Sequence, residues 1–324
     1  MRNLRTEDEI IANWKGDIDQ PVVSICCITY NHEPYVEDAL EGFLNQETNF
    51  PFEILIHDDA STDRTAAIIR EYEVKYPRLI KPIYQTENQY SKGLKMNPTF
   101  NFPRSKGQYI ALCEGDDYWI ASEKLQTQVQ LMREYPDVNI SFHPAYKVDG
   151  FELKKNKIFA NHSKDVKIFT PKEVILGGGG FMPTQSLMIK SELLKNLPDW
   201  FFNNAPVGDY YLQIISSIDN GALYFPMILG IYRTNITGSW SSERKLEIEK
   251  FFLALDKLDS WFSNKYSKEV SIAKKHLYYS AGRLELAKGN FLESRIFILK
   301  SLWVRDLVFK AVVIYFLSFL KLRV

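Results

Sequence analysis

Residues 22–30, VVSICCITY, form an almost unbroken apolar and β-branched run, the pattern of a strand buried on both faces. Behind it, EPYVEDALEGFLNQ places Val36, Leu40, Phe43 and Leu44 at helical spacing. FEILIHDDAS reads as a second strand, Thr62 to Tyr76 as a second helix stopped by Pro77, RLIKPIYQ as a third strand and GQYIALCEG as a fourth. Strand and helix alternating in this way predict an α/β fold with a mostly parallel central sheet flanked by helices. Such sheets bind ligands at the carboxyl ends of their strands. The polar clusters Tyr30-Asn31, Asp58-Asp59 and Glu114-Asp116-Asp117 fall at those ends.

Further along, SEKLQTQVQLMREYP predicts a helix with Ser122 as its N-cap, closing before Pro136. GGGGFMPTQSLMIK has four glycines, but no Gly-Lys-Ser/Thr follows and no helix starts there, so a loop beside a strand is expected rather than a phosphate cradle. GALYFPMILGIYR reads as two short strands broken at Pro226. From about Ser241 the chain turns helical, with two amphipathic helices meeting at Gly289-Asn290. One such hairpin is too little for a repeat array. The apolar run from Ala311 to Leu320, between Lys310 and Lys321, is shorter than the roughly 20 residues a spanning helix needs. It packs on the helical tail or lies in a membrane interface. Three regions are therefore expected: an N-terminal segment, 1–20; a catalytic domain, 21–242; and a helical C-terminal region, 243–324.

Charge narrows the partners. Forty basic and forty acidic residues balance to zero without a long basic run, which disfavours nucleic acid. MRNLRTEDEIIANWKGD lacks the apolar core of a signal peptide, so a cytoplasmic location is expected. Cys26, Cys27 and Cys113 have no CxxC spacing and read as buried reduced thiols. Without a secretory signal, the N-x-S/T triplets at Asn139, Asn161 and Asn235 read as chance matches. His57 and His143 are expected in core or wall positions, and Trp119 and Trp240 at the site.

Three chemistries could bring acids together at a strand end. A dinucleotide site needs glycines after the first strand, and CCITYNHEPYV has none. An aspartyl-phosphate site needs a first Asp, a spacer and a second Asp; Glu114 occupies the first place, and Asp58-Asp59-Ala60 lacks the spacing. Metal-assisted transfer from a phosphorylated donor remains, and the DXD-like Glu114-Gly115-Asp116 suits it. As a bland alternative, Ser61 or Asp63 caps the following helix.

Taken together, the motifs resemble the family 2 glycosyltransferases, with their GT-A fold, over roughly residues 20–242. VSICCITYNHEPYVEDALEGFLNQ looks like that family's first strand and helix, and EILIHDDASTDRTAAII its Asp-Asp-x-Ser-x-Asp-x-Thr pattern. GQYIALCEGDDYW with KLQTQ, then VGDYYL, then YRTNITGSWS resemble later family segments. The resemblance implies an inverting transferase using a nucleotide-sugar donor, most readily a UDP-sugar, with Mn²⁺ or Mg²⁺. Its acceptor would be a saccharide or lipid-linked glycan. Tyr30 and Asn31 would lie at the nucleotide, and Asp59 would accept a hydrogen bond from a uracil-like ring. Asp116 would bind the metal with support from Glu114 and Asp117, and Asp209 would be the base. Arg233, Ser239 and Trp240 would close over the diphosphate or acceptor.

Three departures stand out: Glu114 replaces the commoner Asp, Gly208 replaces the acid before the base, and NQYSKGLKMNPTFNF replaces an Ala-Arg-Asn segment. The alternatives are a non-catalytic nucleotide-sugar-binding protein of this fold and a protein whose function lies in interactions of its helical tail. Peripheral contact with the cytoplasmic face of a membrane is expected through residues 303–324.

Overall fold

Apolar strands packed under amphipathic helices set the architecture. The computed structural model describes residues 4–149, 152–234, 236, 247–302, 312, 314 and 315. Its strands are β1 (Val23–Thr29), β2 (Phe52–Asp58), β3 (Ile80–Tyr84), β4 (Tyr109–Leu112), β5 (Tyr118–Trp119), β6 (Ile140–Phe142), β7 (Ala145–Asp149), β8 (Glu152–Phe159), β9 (Lys167–Phe169), β10 (Met188–Lys190), β11 (Ala222–Tyr224) and β12 (Gly230–Thr234). The helices are α1 (Glu7–Ile11), α2 (Val36–Leu44), α3 (Thr65–Lys75), α4 (Lys124–Glu134), α5 (Pro171–Gly177), α6 (Ser191–Lys195), α7 (Asp199–Asn204), α8 (Gly208–Ser217), α9 (Ile248–Trp261), α10 (Ser267–Lys288) and α11 (Phe291–Ser301).

Chain contacts separate two compact units: Met1–Pro171, Gly179–Pro198 and Asp209–Glu243, and then Lys172–Gly178, Asp199–Gly208 and Arg244–Val324. The first holds an eight-stranded sheet in the order β3-β2-β1-β4-β10-β6-β11-β9. As the apolar runs predict, β1, β2, β3 and β4 are parallel neighbours. Their core joins Ile25 and Ile54 to Leu40 and Phe43 of α2, Ile69 of α3, and Leu125 and Val129 of α4. The N-terminal residues join this unit too: Ile10 lies in the same core, and Glu7 accepts the Arg78 side chain at 2.9 Å.

Two features lay beyond the periodicity. β10 enters the sheet antiparallel to β4. A second sheet, β5-β12-β7-β8, follows the acidic turn. Within it β12 runs antiparallel to β5, pairing Gly230 with Trp119 and Ile231 with Tyr118. Continuing that register brings Arg233 to the acids that precede β5.

Two expectations are corrected. Ser122 does not cap α4; a glutamine from another loop does part of that work, because Gln46 Oε1 accepts the Leu125 N–H at 3.0 Å. Trp119 is only 2% exposed, with its indole N–H donated to the Gln185 carbonyl at 2.8 Å and its ring against Phe43. It belongs to the core because its only polar atom is satisfied internally. All three cysteines are buried and free, and His57 and His143 are buried, as expected.

The second unit is helical. Asp259 ties α9 to α10 by accepting the Tyr266 N–H at 2.9 Å. Between α10 and α11 the chain turns at Gly289, whose φ of +85° is a conformation that glycine tolerates. The two helices approach closely at Gly282, where a Cβ would lie 2.6 Å from Ile298. No helix among the described residues is long and apolar enough to cross a membrane.

Candidate functional site

Parallel register aligns the strand ends. Thr29 lies opposite Asp58, and Cys26 opposite Leu112, so the residues that follow leave the sheet at one edge. Asp59 donates its N–H to the Thr29 carbonyl at 3.0 Å, and Gly115 donates its own to Ile28 at 2.9 Å. A Cβ on Gly115 would stand 2.8 Å from Thr29 Oγ1, so only glycine lets the acidic turn close against β1.

Much of the Asp-Asp-x-Ser-x-Asp stretch is architectural. Asn31, at φ +54°, accepts the Thr62 N–H at 2.8 Å and donates its own N–H to Ser61 Oγ at 2.9 Å. Glu33 accepts the Arg64 N–H, and Asp63 accepts those of Glu33 and Thr65, each within 3.0 Å. Asp63 thus serves the start of α3, while Asp58 accepts the Ser61 hydroxyl. This clasp fixes Tyr30, whose side chain stays 40% exposed at the rim.

Charge concentrates one strand away. Asp116 is 8% exposed, and its Oδ1 has no hydrogen-bond partner. Loss of water, then the charges of Asp116 and Asp209, push the Glu114 carboxyl up to about 8. Burial, then Asp116, raises Asp117 well above its usual value, although Asp117 accepts the Arg233 N–H at 2.8 Å. The Arg233 guanidinium donates to the Asp116 carbonyl at 2.7 Å and to the Asp38 carboxylate, and lies 4.4 Å from the centre of the Tyr118 ring.

Asp209 stands in the first turn of α8, accepting the Tyr210 N–H at 2.8 Å. Its charge reaches Glu114, and it reaches Tyr232 together with those of Asp117, Glu114 and Asp116. Burial and these four acids raise the Tyr232 phenol. The fold therefore brings Glu114, Asp116, Asp117, Asp209 and Arg233 into one electrostatic neighbourhood, with Tyr30, Asn31 and Asp59 on the adjacent strand ends. Ser239 and Trp240 lie outside the described residues.

Sequence reasoning missed Tyr232 and Asp38. Tyr232 was visible only as the first residue of the Tyr-Arg pair, and Asp38 gave no signal because its partner is 195 residues away. A separate cavity of about 350 Å³, lined by Arg5, Asn45, Gln46 and Trp119 among others, contains none of the four acids.

Four carboxylates share this neighbourhood with one guanidinium, and the unpartnered Asp116 Oδ1 offers a hard oxygen donor. That donor chemistry fits Mg²⁺ or Mn²⁺. Among the described residues no three His, Cys, Asp or Glu side chains are grouped to hold a metal alone. A cation here would complete its coordination with phosphate oxygens and water.

The chain is similar to known proteins. The sequence profile described as glycosyl transferase family 2 matches residues 24–197. An uncharacterised protein of Mycobacterium tuberculosis is 34% identical over 224 residues, which cover 68% of this chain and 61% of that one. The chain thus spans about three fifths of that relative's length. TarS of S. aureus, solved with UDP-GlcNAc, has a TM-score of 0.61 at 16% identity, covering 92% of this chain and 89% of that one. The mannosyltransferase PcManGT from Pyrobaculum calidifontis, solved with GDP-Man and Mn²⁺, has a TM-score of 0.54 at 15% identity, covering 93% and 87%. At such identities the structural likeness is one of fold.

Proposed function

The chain belongs to glycosyl transferase family 2, and on that premise we propose that it moves a sugar from a nucleotide-diphosphate sugar, UDP-linked in this reading, to a saccharide or lipid-linked acceptor. Its α/β fold is of the GT-A kind. The observation that carries the proposal is the unpartnered, buried Asp116 oxygen, which stands with Glu114 and Asp117 beyond the end of β4 and within electrostatic reach of Asp209 at the start of α8.

In this reading Tyr30, Asn31 and Asp59 serve the nucleoside side, and Arg233 with Glu114 and Asp117 shapes the diphosphate side. Ser239 and Trp240 are assigned to closure over the donor or acceptor. Asp116 would hold a divalent cation, Mn²⁺ or Mg²⁺, which when bound supplies Lewis-acid stabilisation of a diphosphate leaving group. Asp209 takes the proton from the acceptor hydroxyl, which is a poor nucleophile until then. Attack opposite the leaving group inverts the anomeric carbon and needs no covalent sugar–enzyme intermediate. The donors bound by TarS and PcManGT support a nucleotide sugar. Work at the cytoplasmic face of a membrane, with contact through residues 303–324, completes the proposal.

Two substitutions separate binding from chemistry. Asp116→Ala should lose metal-dependent nucleoside diphosphate binding in calorimetry while keeping the fold. Asp209→Asn should bind donor and metal as wild type, but transfer should fall by roughly 10²- to 10⁴-fold. Near wild-type transfer by Asp209→Asn would place the base elsewhere. Metal-stimulated binding by Asp116→Ala would remove the metal assignment.

A further inference from the structure

The Arg233 guanidinium reaches the acidic turn without pairing with the Asp116 carboxylate. Its Nη1 donates to the Asp116 main-chain carbonyl at 2.7 Å, and the carboxylate of Asp117 is met by the Arg233 main-chain N–H at 2.8 Å. Nη2 points to a different element and pairs with the Asp38 carboxylate of α2. The guanidinium carbon stands 4.4 Å from the centre of the Tyr118 ring and 5.0 Å from that of Tyr35. Asp116 Oδ1 is left without a hydrogen-bond partner, although a cation is bonded to the carbonyl of the same residue.

Electrostatics alone would give another arrangement. A buried guanidinium beside Glu114, Asp116, Asp117 and Asp209 is drawn toward their carboxylates, and a bidentate pair with one of them is stronger than a bond to a neutral carbonyl. Some group must hold it back. Asp38 lies in the first turn of α2, where free N–H groups and the helix dipole favour a negative charge. It is half-buried, whereas Arg233 is buried and needs a counter-charge to stay so. The ion pair with Asp38 supplies that charge from outside the acidic turn.

We infer that Asp38 is a positioning residue: it holds the Arg233 guanidinium off the Asp116 carboxylate and so keeps that oxygen open to a divalent cation. This role rests on the metal-dependent reading above and deepens it. Without Asp38, the guanidinium turns to the carboxylates of Asp116 and Asp117 and competes with the metal for them. Asp38 acts through Arg233 and touches neither donor nor metal.

The test titrates Mn²⁺ into the full chain with UDP or GDP present and reads free Mn²⁺ by electron paramagnetic resonance. Residues of one ion-pair network couple strongly enough to change an affinity by roughly 5- to 150-fold. Asp38→Ala should weaken Mn²⁺ binding within that range, Asp38→Asn should weaken it while keeping the side-chain shape, and Asp38→Glu should restore it. Donor hydrolysis by Asp38→Ala should return to near wild-type kcat once Mn²⁺ saturates. In an Arg233→Met background, Asp38→Ala should change Mn²⁺ affinity no further, because no guanidinium remains to be released. A crystal structure of metal-free Asp38→Ala should show the guanidinium on the Asp116 or Asp117 carboxylate. Wild-type Mn²⁺ affinity in both Asp38→Ala and Asp38→Asn overturns the inference. So does an equal loss with and without Arg233, or a guanidinium that stays on the carbonyl in the metal-free variant. If the wild-type protein binds no Mn²⁺ with either nucleotide, the metal reading itself fails, and the role of Asp38 falls with it.

Discussion

Lys124 opens α4 with a fully buried amine that lies 3.9 Å from the centre of the Trp119 ring and has no hydrogen-bond partner. Burial pushes its pKa down to about 7. Between that value and about 10.4 the unfolded chain binds a proton that the folded chain does not. Stability should therefore rise with pH across this window, and the contribution of this group should level off at its minimum below about 7. Lys124→Met keeps the stem and removes the charge, so urea titrations should show a flatter pH dependence. At pH 7 the variant should be the more stable by roughly a few kcal/mol, since each unit of pKa shift corresponds to about 1.4 kcal/mol. A variant less stable at every pH would mean that the amine is bound more favourably than its surroundings suggest. Legibility at this scale followed distance along the chain. Glu114, Asp116 and Asp117 could be read because one short stretch contains them. Arg233 could be placed near the diphosphate only by resemblance, since its bonds to Asp38, Asp116 and Asp117 depend on tertiary folding.

Elements were legible where burial on both faces left long apolar runs, as in β1 and β2. The second sheet was not, because a two-residue strand such as β5 carries no period to detect. Among helices, α11 has an apolar side that the turn at Gly289 did not foretell. Leu292, Ile296 and Leu299 are exposed and stand at i, i+4 and i+7, one stripe along the helix. Seven Lys or Arg against three Asp or Glu lie between Ser267 and Ser301, in a chain of zero net charge. A basic segment with an apolar stripe favours an anionic lipid surface. The full chain should therefore sediment with phosphatidylserine vesicles and be released by salt. Leu292→Glu with Ile296→Glu, or deletion of residues 303–324, should reduce that binding without abolishing donor hydrolysis. Failure of the intact protein to sediment would leave the stripe without a lipid role.

At the scale of the molecule, the proposed chemistry needs only residues of the first unit. Asp116, Asp209 and Arg233 all belong to it, whereas the second unit contributes none of the four acids. Ligand binding should accordingly act as a stabiliser of that unit. A ligand that binds the folded state alone stabilises it by roughly 2.7 kcal/mol at a hundredfold excess over its dissociation constant. For a folded unit of this size that corresponds to a rise in Tm of roughly 5–10 °C. The rise should require nucleoside diphosphate and Mn²⁺ together, since Asp116 leaves one oxygen for the cation and, among the described residues, no group of three ligands could hold it alone. It should vanish in Asp116→Ala but persist in Asp209→Asn, whose carboxylate is assigned to the acceptor. Differential scanning calorimetry of the three proteins, each with metal, nucleotide and both, checks this. An equal shift in Asp116→Ala would show that the nucleotide binds independently of the acidic turn, and the site would have to be sought away from the carboxyl end of β4.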